Sequence, residues 1–150
     1  MPILIADSGS TKCEWCLVSS RSKKTIVTQS MSPYFLSAEQ MAHVITTELL
    51  PALKKQLPDE IHFYGTGNKN PDNAKRTKRV LQQVFVGAEV HVTHDLMGAA
   101  RALCQNEKGV ACILGTGSNS CSFNGKKIVR NSPGLSFGSV AHFQCLSLLQ

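Results

Sequence analysis

The chain has 150 residues, with 16 basic and 10 acidic side chains and a formal net charge of +6 when histidine is neutral. Its hydrophobic fraction of 42% lies in the globular range, which excludes a disordered tail and a collagen-like repeat. No apolar run approaches the roughly 20 residues of a membrane-spanning helix. Residues 1–7 lack the basic start of a secretory signal and soon reach a carboxylate. We therefore expect a cytoplasmic protein with no membrane partner.

The positive charge is uneven along the chain. From Lys108 onward there are four basic residues and no acidic residue. Such a segment could attract polyanions, but four cations without interleaved aromatic side chains are too few for a nucleic-acid platform. No nucleic-acid partner is expected.

The six cysteines are expected to be reduced thiols, most of them in the core, because the chain is neither short nor secreted. They are Cys13, Cys16, Cys104, Cys112, Cys121 and Cys145. Cys13 and Cys16 have the spacing of half a zinc site, but residues three apart on a strand point to opposite faces. The same objection applies to His91 and His94. We therefore expect no structural metal at either pair.

The first thirty residues predict an antiparallel meander of three strands. Apolar or alternating runs cover residues 3–6, 13–18 and 25–30, and the small polar segments 7–12 and 21–24 predict turns between them. A helix follows, because Ser37 and Gln40 form a capping box. Its apolar stripe is Met41, Val44, Ile45, Leu49 and Leu53. Pro51 predicts a kink or an early end near Leu50.

Strands and helices then alternate, which is typical of an α/β chain. We predict a strand at 61–64, a helix capped by Asp72 or Asn73, a strand at 89–93 and a helix at 96–105. Further strands are predicted at 110–114, 120–123 and 126–130, the last pair joined at Asn124-Gly125. A strand, a glycine turn and two more strands thus occur at both ends of the chain. We place a domain boundary near Lys108.

Two glycine-containing turns could bind phosphate. In residues 7–12, backbone N–H groups together with Ser10, Thr11 and Lys12 could cradle an anion, and Asp7 could orient a hydrated Mg²⁺. Residues 115–119 repeat this chemistry after another apolar strand. Each turn on its own is usually no more than an ordinary polar turn. Their pairing in two similar units favours a shared polyphosphate ligand.

His94-Asp95, between a strand and a helix, allows two interpretations. Asp95 could cap the helix, or it could be a general base aimed into a cleft at the sheet edge. Asn68 could likewise touch a ligand or only form a turn. A Ser/His/Asp hydrolase is disfavoured because no Gly-x-Ser-x-Gly segment is present.

Segments 3–12, 94–101 and 113–120, taken in this order, resemble the N-acetylglucosamine kinase group of the BadF/BadG/BcrA/BcrD ATPase family. That family belongs to the actin–sugar kinase–Hsp70 superfamily. The resemblance implies an α/β, ribonuclease H-like lobe with a mixed five-stranded sheet at residues 1–108. It also implies the first strands of a second such lobe at 109–138.

The resemblance further implies an amino-sugar kinase that uses ATP and Mg²⁺. Asp7 would support Mg²⁺ through water, and Asp95 would take the proton from the sugar's 6-hydroxyl. The phosphate-binding residues would be Gly9, Ser10, Thr11, Lys12, Gly115, Thr116 and Gly117. Thr116, Asn119 and Asp95 would lie near the sugar. Ser32 stands where relatives commonly carry a sugar-contacting Asn.

Residues 139–150 depart from the family pattern. We therefore expect a truncated product, and we expect weak or no kinase activity from this chain alone. Two other classes remain open. One is an ATPase that activates radical dehydratases, for which Cys104 and Cys121 would be candidate iron–sulfur ligands. The other is a non-catalytic fragment that binds a sugar or a partner chain, including a homodimer formed through unpaired strand edges.

Overall fold

The computed structural model describes residues 1–54, 56–114, 117–132 and 135–136. Its helical segments are α1 (Ala38–Val44), a π-helical turn (Ile45–Leu49), α2 (Leu50–Leu53), α3 (Pro71–Val84) and α4 (Asp95–Cys104). Its strands are β1 (Ile3–Ser8), β2 (Lys12–Val18), β3 (Lys23–Gln29), β4 (Glu60–Gly65), β5 (Glu89–Thr93), β6 (Lys108–Leu114), β7 (Gly117–Asn124), β8 (Ile128–Asn131) and β9 (Leu135–Ser136). The strands form two sheets.

The first sheet has the order β3-β2-β1-β4-β5. The first three strands pair antiparallel, and β1, β4 and β5 pair parallel. The predicted meander and the mixed five-stranded, ribonuclease H-like sheet are confirmed. The predicted turn at 7–12 is too long. Asp7 and Ser8 are paired with β2, and Lys12 is paired with β3, so only residues 9–11 form the turn.

One face of the first sheet is covered by α1, the π-helical turn, α2 and α3. Alternation along the strands places Leu4, Ala6, Trp15, Leu17, Ile61 and Phe63 on this buried face. Trp15 has no exposed surface, and its Nε1–H donates to Thr28 Oγ1 at 2.9 Å. The Trp15 and Phe63 ring centroids lie 5.7 Å apart. This aromatic pair forms the centre of the first core.

The capping box at the start of α1 is confirmed. The Ser37 hydroxyl accepts the Gln40 N–H, and the Gln40 side chain accepts the Ser37 N–H. The predicted break near Leu50 is only partly right, because the helical segment continues past Pro51 to Leu53. The π-helical turn just before Pro51 shifts the hydrogen-bond pattern where proline has no N–H to donate.

Helix α3 is capped by Asn70, so the predicted cap at Asp72 or Asn73 is wrong. The Asn70 side chain accepts the backbone N–H groups of both residues. Pro71 occupies the first helical position, where its fixed φ is favourable and its missing N–H costs nothing. The cap therefore lies one residue before the proline.

The second sheet has the antiparallel order β6-β7-β8, with β9 also paired to β7. Helix α4 packs on it, and the shared core consists of Leu96, Ala100, Ala111, Cys121 and Phe123. Gly125 has a φ of +91° in the β7–β8 connection, where Asn124 N–H donates to Lys127 O at 3.1 Å. The hairpin at Asn124-Gly125 is thus present, with Gly125 and Lys126 at its tip. The division near Lys108 stays a prediction.

The described thiols are all free, as expected, but only Cys13 and Cys121 are buried, so the expectation that most cysteines lie in the core is only partly right. Cys13 is buried with Trp15 and Leu17, whereas Cys16 lies on the opposite face of β2. Cys145 lies outside the described residues. Within the described part of the chain, no three His, Cys, Asp or Glu side chains are grouped to hold a metal ion.

Candidate functional site

The candidate site lies at the carboxyl edge of β1, β4 and β5. Asp7 is aligned with Tyr64 of β4, and Tyr64 is aligned with Thr93 of β5. The β1–β2 turn follows Ser8, and α4 begins at Asp95. Open α/β sheets commonly bind ligands at this edge. The fold therefore brings Asp7, the first glycine turn and the start of α4 to one region.

Hydrogen bonds from two neighbouring segments brace the first turn. The Gly9 N–H donates to Lys12 O at 3.0 Å, and Ser30 Oγ donates to Gly9 O at 2.7 Å. The buried Ser8 hydroxyl accepts the Met31 N–H at 3.0 Å, while Ser8 O accepts the Thr66 N–H at 2.9 Å. Because the Gly9 N–H is engaged inside the turn, anion binding here would depend on residues 10–12.

Lys12 forms an ion pair with Glu14 on the same strand. Both side chains are substantially exposed, and the hydrogen bond to Glu14 raises the pKa of the Lys12 ammonium. Exposed ion pairs are weak and easily exchanged. Lys12 is therefore positively charged and able to turn from Glu14 toward a phosphate.

The negative charge of Asp95 acts on the Asp7 carboxyl. Partial burial raises the pKa of the Asp7 carboxyl, and the negative charges of Asp95 and Glu14 raise it further against the opposing effect of Lys12. Like charges disfavour ionisation of a neighbouring carboxyl. The edge of the sheet thus carries a concentration of negative charge that a cation would relieve.

Replacing Asp7 by Asn is expected to stabilise the chain at neutral pH. Because the folded-state pKa of Asp7 is raised, the native state binds its proton more tightly than the unfolded state, and stability falls as pH rises through that pKa. Thermal unfolding of Asp7→Asn should therefore show its gain in Tm at pH 7 and lose most of it near pH 3.5. Asp59→Asn, at an exposed position, controls for loss of one negative charge. A larger gain in Tm at acid pH than at pH 7 would contradict a raised pKa of Asp7.

Asp95 is the first residue of α4 rather than its N-cap, which is His94. Its Oδ1 accepts the Leu96 N–H at 2.8 Å, so the carboxylate does bind the first helical turn. Burial lowers the pKa of His94, with Lys69 adding to the effect and Asp95 opposing it. The predicted stabilising role of Asp95 at the helix start is compatible with a role as base.

A contact between Tyr64 and α4 was not predicted from the sequence. A Cβ atom at Gly98 would lie 2.8 Å from Tyr64 Cγ, so the helix approaches the sheet where only glycine fits. Arg101 Nη1 donates to the Tyr64 hydroxyl at 3.1 Å. One sequence feature could have indicated that side of the helix: a three-residue spacing, which makes residues neighbours on a helix surface. It relates Asp95, Gly98 and Arg101.

Two other residues have structural roles. Asn68 is buried, with its Nδ2 donating to Gly65 O at 3.2 Å and its Oδ1 accepting from Thr77 Oγ1 at 3.0 Å. The turn-forming interpretation of Asn68 is thus the one that its contacts support. Ser32 is also buried, and its hydroxyl accepts the Tyr34 N–H at 3.4 Å.

The second predicted phosphate turn is only partly described. Gly115 and Thr116 lie outside the described residues, whereas Gly117 and Asn119 belong to β7 rather than to a turn. Asn119 is paired with Ile113 of β6, and its Oδ1 is buried without a hydrogen-bond partner among the described residues. The approach of this segment to the first turn stays a prediction.

The residues at the sheet edge fit a hydrated Mg²⁺. This ion prefers few carboxylates and keeps several waters. Asp7 supplies one solvent-exposed carboxylate in a negatively charged region. By contrast, Cys121 is buried in the second core, a placement that does not favour the iron–sulfur alternative.

Solved structures share this architecture. A protein from Porphyromonas gingivalis assigned as an N-acetylglucosamine kinase is 36% identical, with a TM-score of 0.81 over 87% of this chain and 47% of that one. A second protein so assigned, from Chromobacterium violaceum, is 16% identical, with a TM-score of 0.66 over 87% and 47%. The ROK hexokinase of Thermus thermophilus is 17% identical, with a TM-score of 0.64 over 87% and 48%.

The chain has the fold of the actin-like ATPases and sugar kinases. It spans about half the length of these sugar kinase structures. No family profile matches the chain, and no curated protein is detectably similar to it. Among the described residues, no helix is both long enough and apolar enough to cross a membrane.

Proposed function

We propose that the chain is part of an ATP-dependent kinase for an amino sugar, N-acetylglucosamine or a related N-acetylhexosamine. It would belong to the N-acetylglucosamine kinase group of the BadF/BadG/BcrA/BcrD family. The supporting observation is the placement of Asp7 and Asp95 beside a serine- and threonine-bearing turn. This placement occurs in a chain 36% identical to a protein assigned that activity.

The proposed roles follow the chemistry of each group. Ser10, Thr11 and Lys12, with Gly9 shaping the turn, would bind phosphate on one side, and Gly115, Thr116 and Gly117 on the other. Thr116 and Asn119 would contact the sugar. Asp7 would hold the waters of Mg²⁺, which when bound neutralises charge on the phosphates.

Asp95 would act as general base. Its carboxylate accepts the proton of the sugar's 6-hydroxyl while that oxygen forms a bond to the γ-phosphorus of ATP. The bond from the γ-phosphorus to the bridging oxygen breaks, and ADP leaves with that electron pair. Positioning and charge neutralisation provide most of the catalysis in such transfers.

The remaining predictions complete the proposal. A first lobe at residues 1–108 would face a second lobe that begins at 109–138, in a cytoplasmic enzyme. Because the chain spans about half of the sugar kinases it resembles, we expect this chain alone to have weak or no kinase activity. Binding is therefore a better first test than turnover.

Titration calorimetry tests the proposal. The chain is titrated with ADP and Mg²⁺, then with N-acetylglucosamine, N-acetylmannosamine and glucose. We expect nucleotide binding that weakens in Lys12→Met, with Lys75→Met on the exposed side of α3 as the matched control. N-acetylated sugars should bind more tightly than glucose. Heats that are absent for every nucleotide and sugar would contradict the proposal.

A further inference from the structure

Helix α4 joins the two sheets through opposite sides. Leu96 and Ala100 are buried in the second core, whereas Gly98 and Arg101 contact Tyr64 of the first sheet. Residues two apart on a helix point about 200° apart, which explains this division. The position of α4 on the first sheet is thus set by a small contact surface.

Gly98 and Arg101 form that surface with the Tyr64 side chain. A Cβ at position 98 would lie 2.8 Å from Tyr64 Cγ, 2.9 Å from its Cβ and 3.0 Å from its Cδ1. The Arg101 guanidinium lies 6.0 Å from the Tyr64 ring centroid and donates to its hydroxyl. Tyr64 therefore contacts α4 at two positions that are three residues apart.

The next step back along the helix is Asp95. It precedes Gly98 by three residues and so lies on an adjoining part of the helix surface. Tyr64 is itself in direct register with Asp7. The distance between the two carboxylates thus depends on how closely α4 sits on the Tyr64 ring.

We propose that Tyr64 is a positioning residue that fixes Asp95 against the sheet edge by seating α4 at Gly98. The effect of this position on catalysis rests on the proposed function, whereas the contact itself does not. A methyl group at position 98 would force α4 away by roughly 1 Å, since carbon atoms separate to about 3.5–4.0 Å at contact. A 1 Å misplacement of a catalytic group can lower a rate about 10²-fold.

Crystal structures of variants test this contact without any ligand. In Gly98→Ala the separation of the Asp7 and Asp95 Cα atoms should grow by roughly 1 Å, and in Tyr64→Ala, which removes the ring, it should also change. Tyr64→Phe keeps the ring and should leave the separation unchanged. Ala102→Ser adds one atom at an exposed position of the same helix and is the matched control. If either alanine variant fails to fold, the other decides.

An unchanged separation of the Asp7 and Asp95 Cα atoms in the folded alanine variants, or an equal change in Ala102→Ser, would overturn the inference. Single-turnover transfer to N-acetylglucosamine adds a functional readout: Gly98→Ala should lower the rate about 10²-fold while leaving sugar affinity unchanged. If the wild-type chain transfers no phosphate and binds no nucleotide, the proposed kinase function fails. The variant structures still decide whether Tyr64 sets the position of α4.

Discussion

Replacing Asp95 by Asn should slow phosphoryl transfer about 10²–10⁴-fold, the usual contribution of a general base. The amide has nearly the same size and can still accept the Leu96 N–H that Asp95 Oδ1 accepts at 2.8 Å. It cannot take the hydroxyl proton. The measurement is single-turnover formation of the phosphosugar at high protein concentration, which detects even a weak activity.

Asp72→Asn is the matched control for this variant. Asp72 also lies in the first turn of a helix, α3, so both changes remove a carboxylate from the positive end of a helix dipole. Asp72→Asn should retain the wild-type rate. Equal and measurable rates for Asp95→Asn and the wild type would reject Asp95 as the base, whatever the sugar.

Replacing Trp15 by Ala should lower the free energy of unfolding by about 3–5 kcal/mol, as large-to-small changes of buried aromatic residues do. Trp15 has no exposed surface and contacts Phe63 at the centre of the first core. The change also removes the indole donor to Thr28 Oγ1. Since native proteins are stable by only about 5–15 kcal/mol, a large fraction of the stability would be lost.

Urea unfolding followed by circular dichroism measures this effect. Val27→Ala on β3 is the comparison, because the Val27 side chain is 59% exposed and exposed substitutions usually change stability by less than about 0.5 kcal/mol. Similar midpoints for the Trp15 and Val27 variants would show that Trp15 is not at the centre of the core.

Features determined by neighbouring residues could be predicted from the sequence. The Ser37–Gln40 capping box depends on a three-residue spacing and is present as predicted. The α3 cap was misassigned because Asn70, Asp72 and Asn73 are all good caps, and Pro71 decides among them through its fixed φ. The continuation past Pro51 depends on a π-helical turn that no local pattern indicated.

In the candidate site, too, features set by neighbouring residues could be predicted and features set by the packing of distant elements could not. Asp95 could be placed at a sheet edge, because it follows a predicted strand. Its proximity to Asp7, which lies within β1, depends on the parallel pairing of β1, β4 and β5, which no local pattern indicated. The pairing of Lys12 with Glu14 was missed, although residues two apart share a strand face. The contact of Gly98 with Tyr64 could not be predicted, because it depends on how α4 crosses the sheet.

Amide chemical shifts during a titration with ADP and Mg²⁺ test most directly whether two donor-rich turns bind one nucleotide. The expected result is saturable shifts of the amides of Ser10, Thr11 and Lys12 together with those of Gly115 to Gly117, all with one dissociation constant. Saturable shifts confined to one of the two turns, or found only on the exposed side of α3, would contradict a shared phosphate site.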